Sequence, residues 1–528
     1  MATFKLDGKD IPFEPGDSIM RAAWRQGHEI PHYCWHPGLS VAANCRMCLV
    51  QITSGRQMAM PQLTRNPETG ELEASTKPKL LPACQTPAAD GIEVSSINDE
   101  VTRAQGAVQE MLLLNHPVDC PICDQAGECK LQDYYEEHLH QLKRKRTEIV
   151  HKPKGVRFGP TIVYDAERCI VCTRCIRVSD ELAHDPVLSK RERGNHSEIV
   201  LSPDRELDHR YTLMTEHVCP VGALTSRDFR FKARVWFLKS RDSVCDGCAT
   251  GCASHADFDP RSGVIQRLRP RDDERVNKFW MCDDGMLSYR RNHEDRIEMA
   301  TLGRAPVRRF GSTDDALEEA ARLLRETPEG ARAVVLSAAH STEDNLALVA
   351  LAKAWGASLS LARRPDWEGD DILRSADQNP NRGGATLAAG GAPLGTLDEL
   401  VESIEWGTIQ GVVVLGAATT RSADELKVLE KASVISLNTH ISPFALHADV
   451  VLPVATHFER QGSFINGAGL VRRFDAVVPP APGVSSAVEV VAGLAARLSL
   501  SLSLDLGDHE AVRERAEALG VSAEGAAV

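Results

Sequence analysis

Residues 169–175 of the chain read CIVCTRC, and a fourth cysteine follows in HVCPVG at position 219. The first three cysteines, Cys169, Cys172 and Cys175, have the spacing C-x2-C-x2-C and lead into a predicted helix. Thiolates in this pattern, with a distant Cys-Pro, are typical of a [4Fe–4S] cluster. This signature is the most specific in the chain, and it favours iron over zinc.

All fifteen cysteines lie between positions 34 and 282 and form four runs, the second of which has only three thiols. His116 precedes that run, so sixteen ligands would make four sites of four with no thiol left over. Imidazole is a common nitrogen ligand, and replacing one thiolate by it should raise the potential of a cluster. The runs are Cys34, Cys45, Cys48 and Cys84; His116, Cys120, Cys123 and Cys129; Cys169, Cys172, Cys175 and Cys219; and Cys245, Cys248, Cys252 and Cys282.

The first run follows the order of plant-type [2Fe–2S] ferredoxins, a single Cys, a CxxC pair and a distant Cys, but with ten residues in its first gap instead of four. Zinc remains an alternative for this run taken alone. His32 and His36, beside its first cysteine, are expected to be polar loop side chains. The third run departs from two-cluster bacterial ferredoxins, in which the fourth cysteine follows the third after three intervening residues, because here Cys219 takes that place. The fourth run, C-x2-C-x3-C with a remote cysteine, also fits a four-iron cluster.

Length and charge exclude several classes of protein. A chain of 528 residues predicts several domains, and the net charge of −13 makes nucleic acid an unsuitable partner. The apolar runs are too short to span a membrane, and the amino terminus has no signal-peptide core. These features indicate a reducing, cytosol-like compartment, where clustered cysteines are metal ligands rather than disulfides. The basic run 141–146, QLKRKR, is either a solvated linker or a docking face for an acidic partner.

Periodicity predicts the main elements. TFKLDGKDIPFEP, residues 3–15, predicts a hairpin that turns at Asp7-Gly8, followed by a helix from Ser18 to about Gly27. Residues 100–114 predict an amphipathic helix. Beyond residue 300, alternating strands and helices predict a parallel sheet covered by helices. The Gly/Ala-rich GGATLAAGGAP, residues 383–393, is interpreted as a loop without a nucleotide motif, and the last ~30 residues as a helix or a partly disordered tail.

Taken together, HYCWHPG, CRMC and ACQTP, then HPVDCPICDQAGEC, then CIVCTRC and CPVGAL, then CDGCATGC and MCDDG resemble the large iron–sulfur subunit of respiratory NADH–quinone oxidoreductase, complex I. The resemblance covers about residues 1–290. Residues 300–480 are similar to a molybdopterin-oxidoreductase domain, mainly through ADVVLPVATHFERQGSFINGAGLVRRF, residues 448–474.

The resemblance implies an α+β multidomain chain. It implies a plant-type, β-grasp [2Fe–2S] ferredoxin-like domain over 1–95, a [4Fe–4S] domain ligated by one histidine and three cysteines over 96–145, a bacterial ferredoxin-like [4Fe–4S] domain over 146–238, a molybdopterin-oxidoreductase-type [4Fe–4S] domain over 239–300, and a shortened molybdopterin-oxidoreductase-like α/β domain with a variable tail over 301–528. The four runs would hold one [2Fe–2S] and three [4Fe–4S] clusters in chain order. The fourth cluster occurs only in some bacterial members of the family and lies off the main electron path.

The function implied is electron transfer within NADH:quinone oxidoreductase, a proton-translocating enzyme, from a flavin/NADH-binding subunit toward quinone. No catalytic residue is expected in this chain, and its partners would be other peripheral-arm subunits on the cytoplasmic side of the bacterial inner membrane. Molybdopterin is not expected, because Asp283 and Asp284 replace the usual lysine after Cys282 and no cysteine follows. The alternatives are a molybdenum-dependent formate dehydrogenase-like subunit and a zinc-stapled scaffold.

Overall fold

The amino-terminal hairpin forms as the sequence predicts. In this computed structural model, strands β1 (Thr3–Leu6) and β2 (Lys9–Pro12) pair antiparallel. Asp7 and Gly8 connect them with positive φ angles of 48° and 84°, the backbone of a two-residue type I′ turn. The predicted helix also forms, because the Ser18 side chain caps its first turn.

The structure describes residues 2–54, 63–74, 79–138, 144, 148–416 and 421–520. The predictions for the basic run 141–146, apart from Arg144, and for residues 521–528 fall outside these ranges. The chain divides into two compact units, Met1–Trp236 and Phe237–Val528. None of the helices in the described ranges is both long and apolar enough to cross a bilayer.

In the first unit the amino-terminal hairpin belongs to a five-stranded sheet, ordered β2-β1-β7-β3-β6. Its strands after β2 are β3 (Leu49–Ser54), β6 (Leu80–Pro82) and β7 (Glu93–Ser95), while β4 (Leu63–Arg65) and β5 (Leu72–Ala74) form a separate pair. Helices α1 (Ile19–Arg25), α2 (Asp99–Leu113) and α3 (Lys130–His138) complete this part. The apolar core beside the sheet includes Phe4, Ile19 and Val50 together with Cys48 and Cys84, so the same core supports the first cysteine run.

A smaller three-stranded sheet, β12-β9-β8, organises the rest of this unit. Its strands are β8 (Val156–Arg157), β9 (Ile162–Tyr164) and β12 (Leu224–Ser226), and β10 (Leu188–Arg191) pairs separately with β11 (Glu198–Leu201). Helix α4 (Arg174–Arg177) continues as a π-helical turn, Val178–Leu182, and α5 (Thr212–His217) follows later. Because β9 precedes Cys169 and β12 follows Cys219, their antiparallel pairing brings these distant cysteines to one place.

The second unit begins with an antiparallel meander of β13 (Lys239–Val244), β14 (Ala253–Phe258) and β15 (Ile265–Pro270). Val244 pairs with Ala253, so CDGCATGC forms the connection of this hairpin. Helix α6 (Asp283–Met286) starts directly after Cys282, whose own side chain caps it.

An eight-stranded sheet, ordered β17-β16-β23-β22-β21-β18-β19-β20, forms the core of this unit. Strands β18 to β23 run parallel in the doubly wound order 3-2-1-4-5-6, which confirms the predicted alternation. The strands are β16 (Ala300–Leu302), β17 (Arg309–Gly311), β18 (Arg332–Ser337), β19 (Ser358–Ala362), β20 (Leu394–Thr396), β21 (Gly411–Leu415), β22 (Ser433–Asn438), β23 (Val450–Pro453), and a separate pair β24 (Gly462–Ile465) and β25 (Val471–Phe474). The helices are α7 (Thr313–Arg325), α8 (Thr342–Trp355), α9 (Arg382–Ala388), α10 (Leu397–Glu405), α11 (Pro443–His447), α12 (Ala487–Arg497) and α13 (His509–Glu517).

The loop prediction for residues 383–393 is wrong in part, because α9 includes Gly383 to Ala388. A Cβ at Gly384 would lie 2.1 Å from Asn381 Oδ1 and 2.5 Å from Thr342 Oγ1. The glycine therefore serves close packing between α9 and the start of α8, and tertiary contacts override its low helix propensity.

Candidate metal centres

The first cysteine run is gathered on one side of the amino-terminal sheet. Cys34 and Cys45 form a sulfur hydrogen bond, as do Cys48 and Cys84. Cys84 is brought to Cys48 by the end of strand β6, where the Ala83 N–H donates to the Cys48 carbonyl at 2.9 Å. The hydrogen bond between the two sulfurs lowers the pKa of Cys34, which favours a thiolate there, and raises the pKa of Cys45. All four cysteines of this run are free thiols, and they lie together as two hydrogen-bonded pairs.

The histidines beside this run are engaged with the polypeptide. His32 Nδ1 lies 2.7 Å from the Ile30 carbonyl, and its ring packs edge-on against Trp35 at 5.2 Å. The Gly38 N–H donates to His36 Nδ1 at 3.1 Å. Burial lowers the pKa of His32 to about 4 and that of His36 well below its usual value, so both are neutral loop side chains.

The second run lies between α2 and α3, closer to the surface. Cys120 is exposed, Cys129 is half-buried and Cys123 is buried. Burial raises the pKa of Cys129 to about 11, and Cys120 and Cys123 act in the same direction, so the three thiols share one environment. His116 precedes them on the connecting loop and is partly exposed. Asp119, a carboxylate directly before Cys120, is already bonded to Lys154 at 2.8 Å and to Arg168 at 3.1 Å.

The third run encloses a small cavity lined by Cys169, Cys172, Cys175 and Cys219. Tyr164 and the apolar residues Ile199, Val221 and Leu224 complete its wall. The Tyr164 hydroxyl accepts from the Ile199 N–H at 3.1 Å and is hydrogen-bonded to Cys169. The Val171 N–H also points to the Cys169 sulfur at 3.3 Å.

Four cysteines also line a small cavity at the fourth run, with Met281, Trp367 and Leu373 around them. The Cys245 N–H donates to the Cys252 carbonyl at 2.9 Å and closes the hairpin loop. Backbone N–H groups lie near two sulfurs, at 3.4 Å from Gly247 to Cys245 and at 3.4 Å from Gly285 to Cys282. Asn277 anchors the remote segment, because it bonds the Ala253 N–H at 2.9 Å and the Trp280 carbonyl at 3.1 Å.

The donor chemistry of the third and fourth groups fits iron–sulfur clusters. Each offers four thiols around a largely apolar space, with backbone N–H groups directed at sulfur, as anionic clusters require. No three His, Cys, Asp or Glu side chains in the described ranges converge as the ligands of one metal ion would.

Three buried arginines link the groups of the first unit, and sequence reasoning missed them. The Arg177 guanidinium donates to the carbonyls of Cys34 and Ser40, and to that of Cys172 at 3.4 Å. Arg174 donates to the carbonyl of Trp35, and to that of Val218 at 3.1 Å. These two arginines connect the first run with the third.

The third arginine and a glycine connect the third run with the second. Arg168 is 5% exposed and bonds Asp119 through two nitrogens, at 3.1 and 3.2 Å. A Cβ at Gly222 would lie only 2.2 Å from the Cys123 sulfur, so the segment after Cys219 touches the second group directly. The available signal was the placement of Arg168, Arg174 and Arg177 within and beside the CxxCxxC run.

Family models match four parts of the chain. Residues 1–99 match a 2Fe-2S iron-sulfur cluster binding domain, and residues 105–143 match the NADH-ubiquinone oxidoreductase-G iron-sulfur binding region. Residues 159–225 match the ferredoxin-like domain of NADH-quinone oxidoreductase subunit 3, and residues 315–495 match molybdopterin oxidoreductase. The predicted fold class is therefore confirmed: ferredoxin-like iron–sulfur domains precede a molybdopterin-oxidoreductase-like α/β domain.

The similar proteins are subunits of the same enzyme that two of the family models name. NADH-quinone oxidoreductase subunit 3 of Thermus thermophilus is 35% identical over 372 residues, 67% of this chain and 46% of that protein. The G subunit of the same enzyme from Rickettsia conorii is 31% identical over 71% of this chain and 52% of its own length. The resemblance to the large iron–sulfur subunit of complex I is thus confirmed. The G subunit from Mycobacterium bovis is 36% identical over 55% of this chain and 33% of its own.

The chain matches about half or less of the length of these relatives. Among solved structures, an NAD+-reducing [NiFe]-hydrogenase is 27% identical over 44% of this chain and 91% of that chain, with a TM-score of 0.35. The fourth cysteine run, Cys245 to Cys282, lies between the matched ranges 159–225 and 315–495.

Proposed function

We propose that the chain is the electron-transferring iron–sulfur subunit of an NADH–quinone oxidoreductase. It would receive electrons from an NADH-oxidising flavin subunit and pass them toward quinone, without an active site of its own. The observation that carries this proposal is the joining of three cysteine groups by buried arginines and by the close approach of Gly222 to Cys123. Electron transfer needs such short, rigid connections between centres, whereas a zinc scaffold does not.

The ligand assignment follows the four groups. One [2Fe–2S] cluster is proposed on Cys34, Cys45, Cys48 and Cys84, and three [4Fe–4S] clusters on His116, Cys120, Cys123 and Cys129, on Cys169, Cys172, Cys175 and Cys219, and on Cys245, Cys248, Cys252 and Cys282. Their iron supplies one-electron redox chemistry when bound. The chain's own residues position the sulfurs, exclude water from the third and fourth groups and direct N–H groups at sulfur.

The order of transfer would be first group, third group, second group. Arg174 and Arg177 join the first two, and Arg168 and Gly222 join the last two. At the second group, Cys120 is exposed, and Val118, Ile122 and Trp236 are exposed apolar residues of the same unit. Arg234 supports this loop, because it donates to the carbonyls of Cys120 and Cys123 at 3.0 and 2.8 Å. Electrons would leave here for another peripheral-arm subunit.

The fourth group is proposed to lie off this path, in a domain that does not carry molybdopterin. The division into five domains is part of this proposal, as is the peripheral position on the cytoplasmic side of the bacterial inner membrane. No basic residue follows Cys282 directly, since Asp283 and Asp284 occupy those positions and Asp284 pairs with Arg374 at 2.9 Å.

A second candidate is a molybdenum-dependent formate dehydrogenase-like subunit, which the molybdopterin oxidoreductase match at 315–495 favours. Analysis of bound metals separates the two. Stoichiometric molybdenum or tungsten with a released pterin would establish the second candidate and refute the electron-carrier proposal.

The direct test is iron counting with low-temperature EPR on anaerobically purified, dithionite-reduced protein. The proposal expects about 14 iron atoms per chain and signals from one two-iron and three four-iron clusters. Colourless protein that contains zinc and gives no EPR signal would refute it in favour of the scaffold. A serine variant at Cys248 should remove only the fourth signal, and it serves as the matched control for Cys172→Ser, which should remove only the third.

A further inference from the structure

A cavity of about 300 Å³ lies in the second unit at the carboxyl ends of the parallel strands. Its wall includes His340 from the turn after β18, His440 from the turn after β22 and His457 from the turn after β23. The strand order reverses at β18, between β19 and β21. Ligands of doubly wound folds bind at this edge, beside such a reversal, and the volume is at the lower end of the range of small-molecule pockets, about 300–1,000 Å³.

Two arginines meet one carboxylate in the wall of the cavity, and a third arginine, Arg460, is paired with Asp344. Asp246 accepts from Arg291 at 3.0 Å, and Arg364 donates to its backbone carbonyl at 2.8 Å and lies 3.4 Å from its carboxylate. Although burial acts to raise it, these arginines hold the pKa of Asp246 below its usual range. Two guanidinium groups thus share one carboxylate. Glu294 and Asp295, both exposed, also line the cavity, and they oppose a ligand with several negative charges.

Two imidazole nitrogens in the cavity wall lack a partner among the described residues. The Nε2 atoms of His340 and His457 are buried there without a hydrogen bond. Ser337 Oγ lies 2.8 Å from His340 Nδ1 but 3.4 Å from the Gly416 carbonyl. The shorter contact favours donation by the serine hydroxyl to Nδ1, which places the His340 proton on Nε2 as an unused donor.

Both imidazoles are neutral. Burial, reinforced by Arg460 and Arg364, lowers the pKa of His340 to about 3, and burial lowers that of His457 to about 4. A buried N–H donor without an acceptor destabilises the folded protein. An oxyanion that accepts from the Nε2–H of His340 would remove that cost.

The same region does not fit a molybdopterin. In doubly wound folds a phosphate of the ligand sits at the amino terminus of the first helix. Here the Asp344 carboxylate fills that position, since it accepts from the Ser341 N–H at 3.2 Å and pairs with Arg460. The cavity is small, and no cysteine follows Cys282.

We propose that this cavity binds a small molecule with a single terminal oxyanion, a phosphomonoester or a carboxylate, held by Arg364, His340 and His457. The proposal is independent of the electron-carrier function. Arg364 also bonds Asp246 in the loop of the fourth cysteine group, but none of the three proposed contacts is a cysteine.

The test measures thermal stabilisation of the intact, cluster-loaded chain by inorganic phosphate and by acetate, against potassium chloride at equal ionic strength. A saturable rise in Tm with either anion beyond chloride is expected, because a ligand of the folded state stabilises it by mass action. The anion with the lower half-saturation concentration identifies the source of the oxyanion. Mass spectrometry of the small molecules released on denaturation shows what the protein carries when purified.

The double variant His340→Phe/His457→Phe should raise the half-saturation concentration about tenfold or more. His447→Gln, a histidine that lies outside the cavity and pairs with Glu430, should leave it unchanged. If the double variant does not fold, His457→Leu alone should show the same direction of change. Equal effects of phosphate, acetate and chloride, unchanged saturation in the histidine variants, or release of a pterin would each overturn the proposal.

Discussion

The second and third cysteine groups differ in depth, although both use cysteines of one unit and lie next to each other. Every cysteine of the third group except Cys169 is buried, whereas Cys120 of the second group is exposed. The third group has polypeptide connections on two sides, through Arg177 and Arg168. The buried and doubly connected third group is suited to pass electrons within the chain. The second group, with its exposed Cys120, is suited to pass electrons out of the chain.

The largest expected effect comes from Arg177→Met, which breaks the connection of the third group to the first. The carbonyls of Cys34 and Ser40 would lose their donor, at a cost of about 3 kcal/mol or more in the free energy of unfolding. Chemical denaturation of the cluster-loaded chain measures this cost. Arg205→Met removes a more exposed arginine paired with Asp185 at 2.7 Å and should cost less than about 1 kcal/mol. Equal losses in the two variants would contradict a structural connection through Arg177.

His116→Cys sharpens the comparison from the side of the second group. A fourth thiolate makes that cluster more negative, so its reduction potential should fall while that of the third group stays constant. An EPR-monitored redox titration measures both. The matched control is His151→Gln, which replaces an exposed histidine that lies 2.9 Å from Glu167. If His116→Ala keeps every potential of the parent, another residue completes the second group.

Asp119→Asn weakens the link between the two groups. Hydrogen bonds from Lys154 and Arg168 lower the pKa of Asp119 from its ordinary 3.8, so its stabilising effect is present above that value and is lost as the pH falls. The side chain is 22% exposed, and the expected loss is about 1 kcal/mol or less at pH 7. Denaturation at pH 7 and over a series of acidic pH values checks it: the difference between parent and variant should be full at pH 7 and should narrow once the pH falls below 3.8. A difference that grows on acidification would exclude this account.

The smallest effect is expected from Tyr164→Phe, which removes a hydroxyl bonded to Cys169. One hydrogen bond fewer on sulfur should lower the potential of the third group by roughly 20–40 mV, equivalent to roughly 0.5–1 kcal/mol. Redox titration of the third signal measures the shift, and the second signal provides an internal reference. A shift of the second signal alone would show that the hydroxyl acts elsewhere.

The sequence predicted the elements that local rules determine. Asp7-Gly8 specifies a tight turn, Ser18 specifies a helix start, and Ser341 with Asp344 forms a capping box at α8. The grouping of the cysteines was also predicted from their spacing and number. In the structure the distant Cys84, Cys219 and Cys282 lie beside the first, third and fourth runs, respectively.

The sequence did not show what depends on long-range contacts. Arg174 and Arg177 are buried because they donate to backbone carbonyls more than a hundred positions earlier in the chain. No local sequence pattern predicts such partners. The helix at Gly384 forms for a similar reason, since its packing against Thr342 is fixed by the tertiary fold. The cavity at His340 and His457 likewise requires the turns of three separate strands to meet.

The position of Cys219 has a consequence for how the protein is made. The segment that carries Cys219 is fixed on both sides. Arg174 donates to the Val218 carbonyl before it, and strand β12 after it pairs with β9. We expect iron to arrive before this segment docks, because Cys172, Cys175 and Cys219 are all buried in the folded chain. We expect biogenesis to follow a fixed sequence in which metal delivery precedes final folding, and metal starvation to leave the segment around Cys219 open to proteolysis.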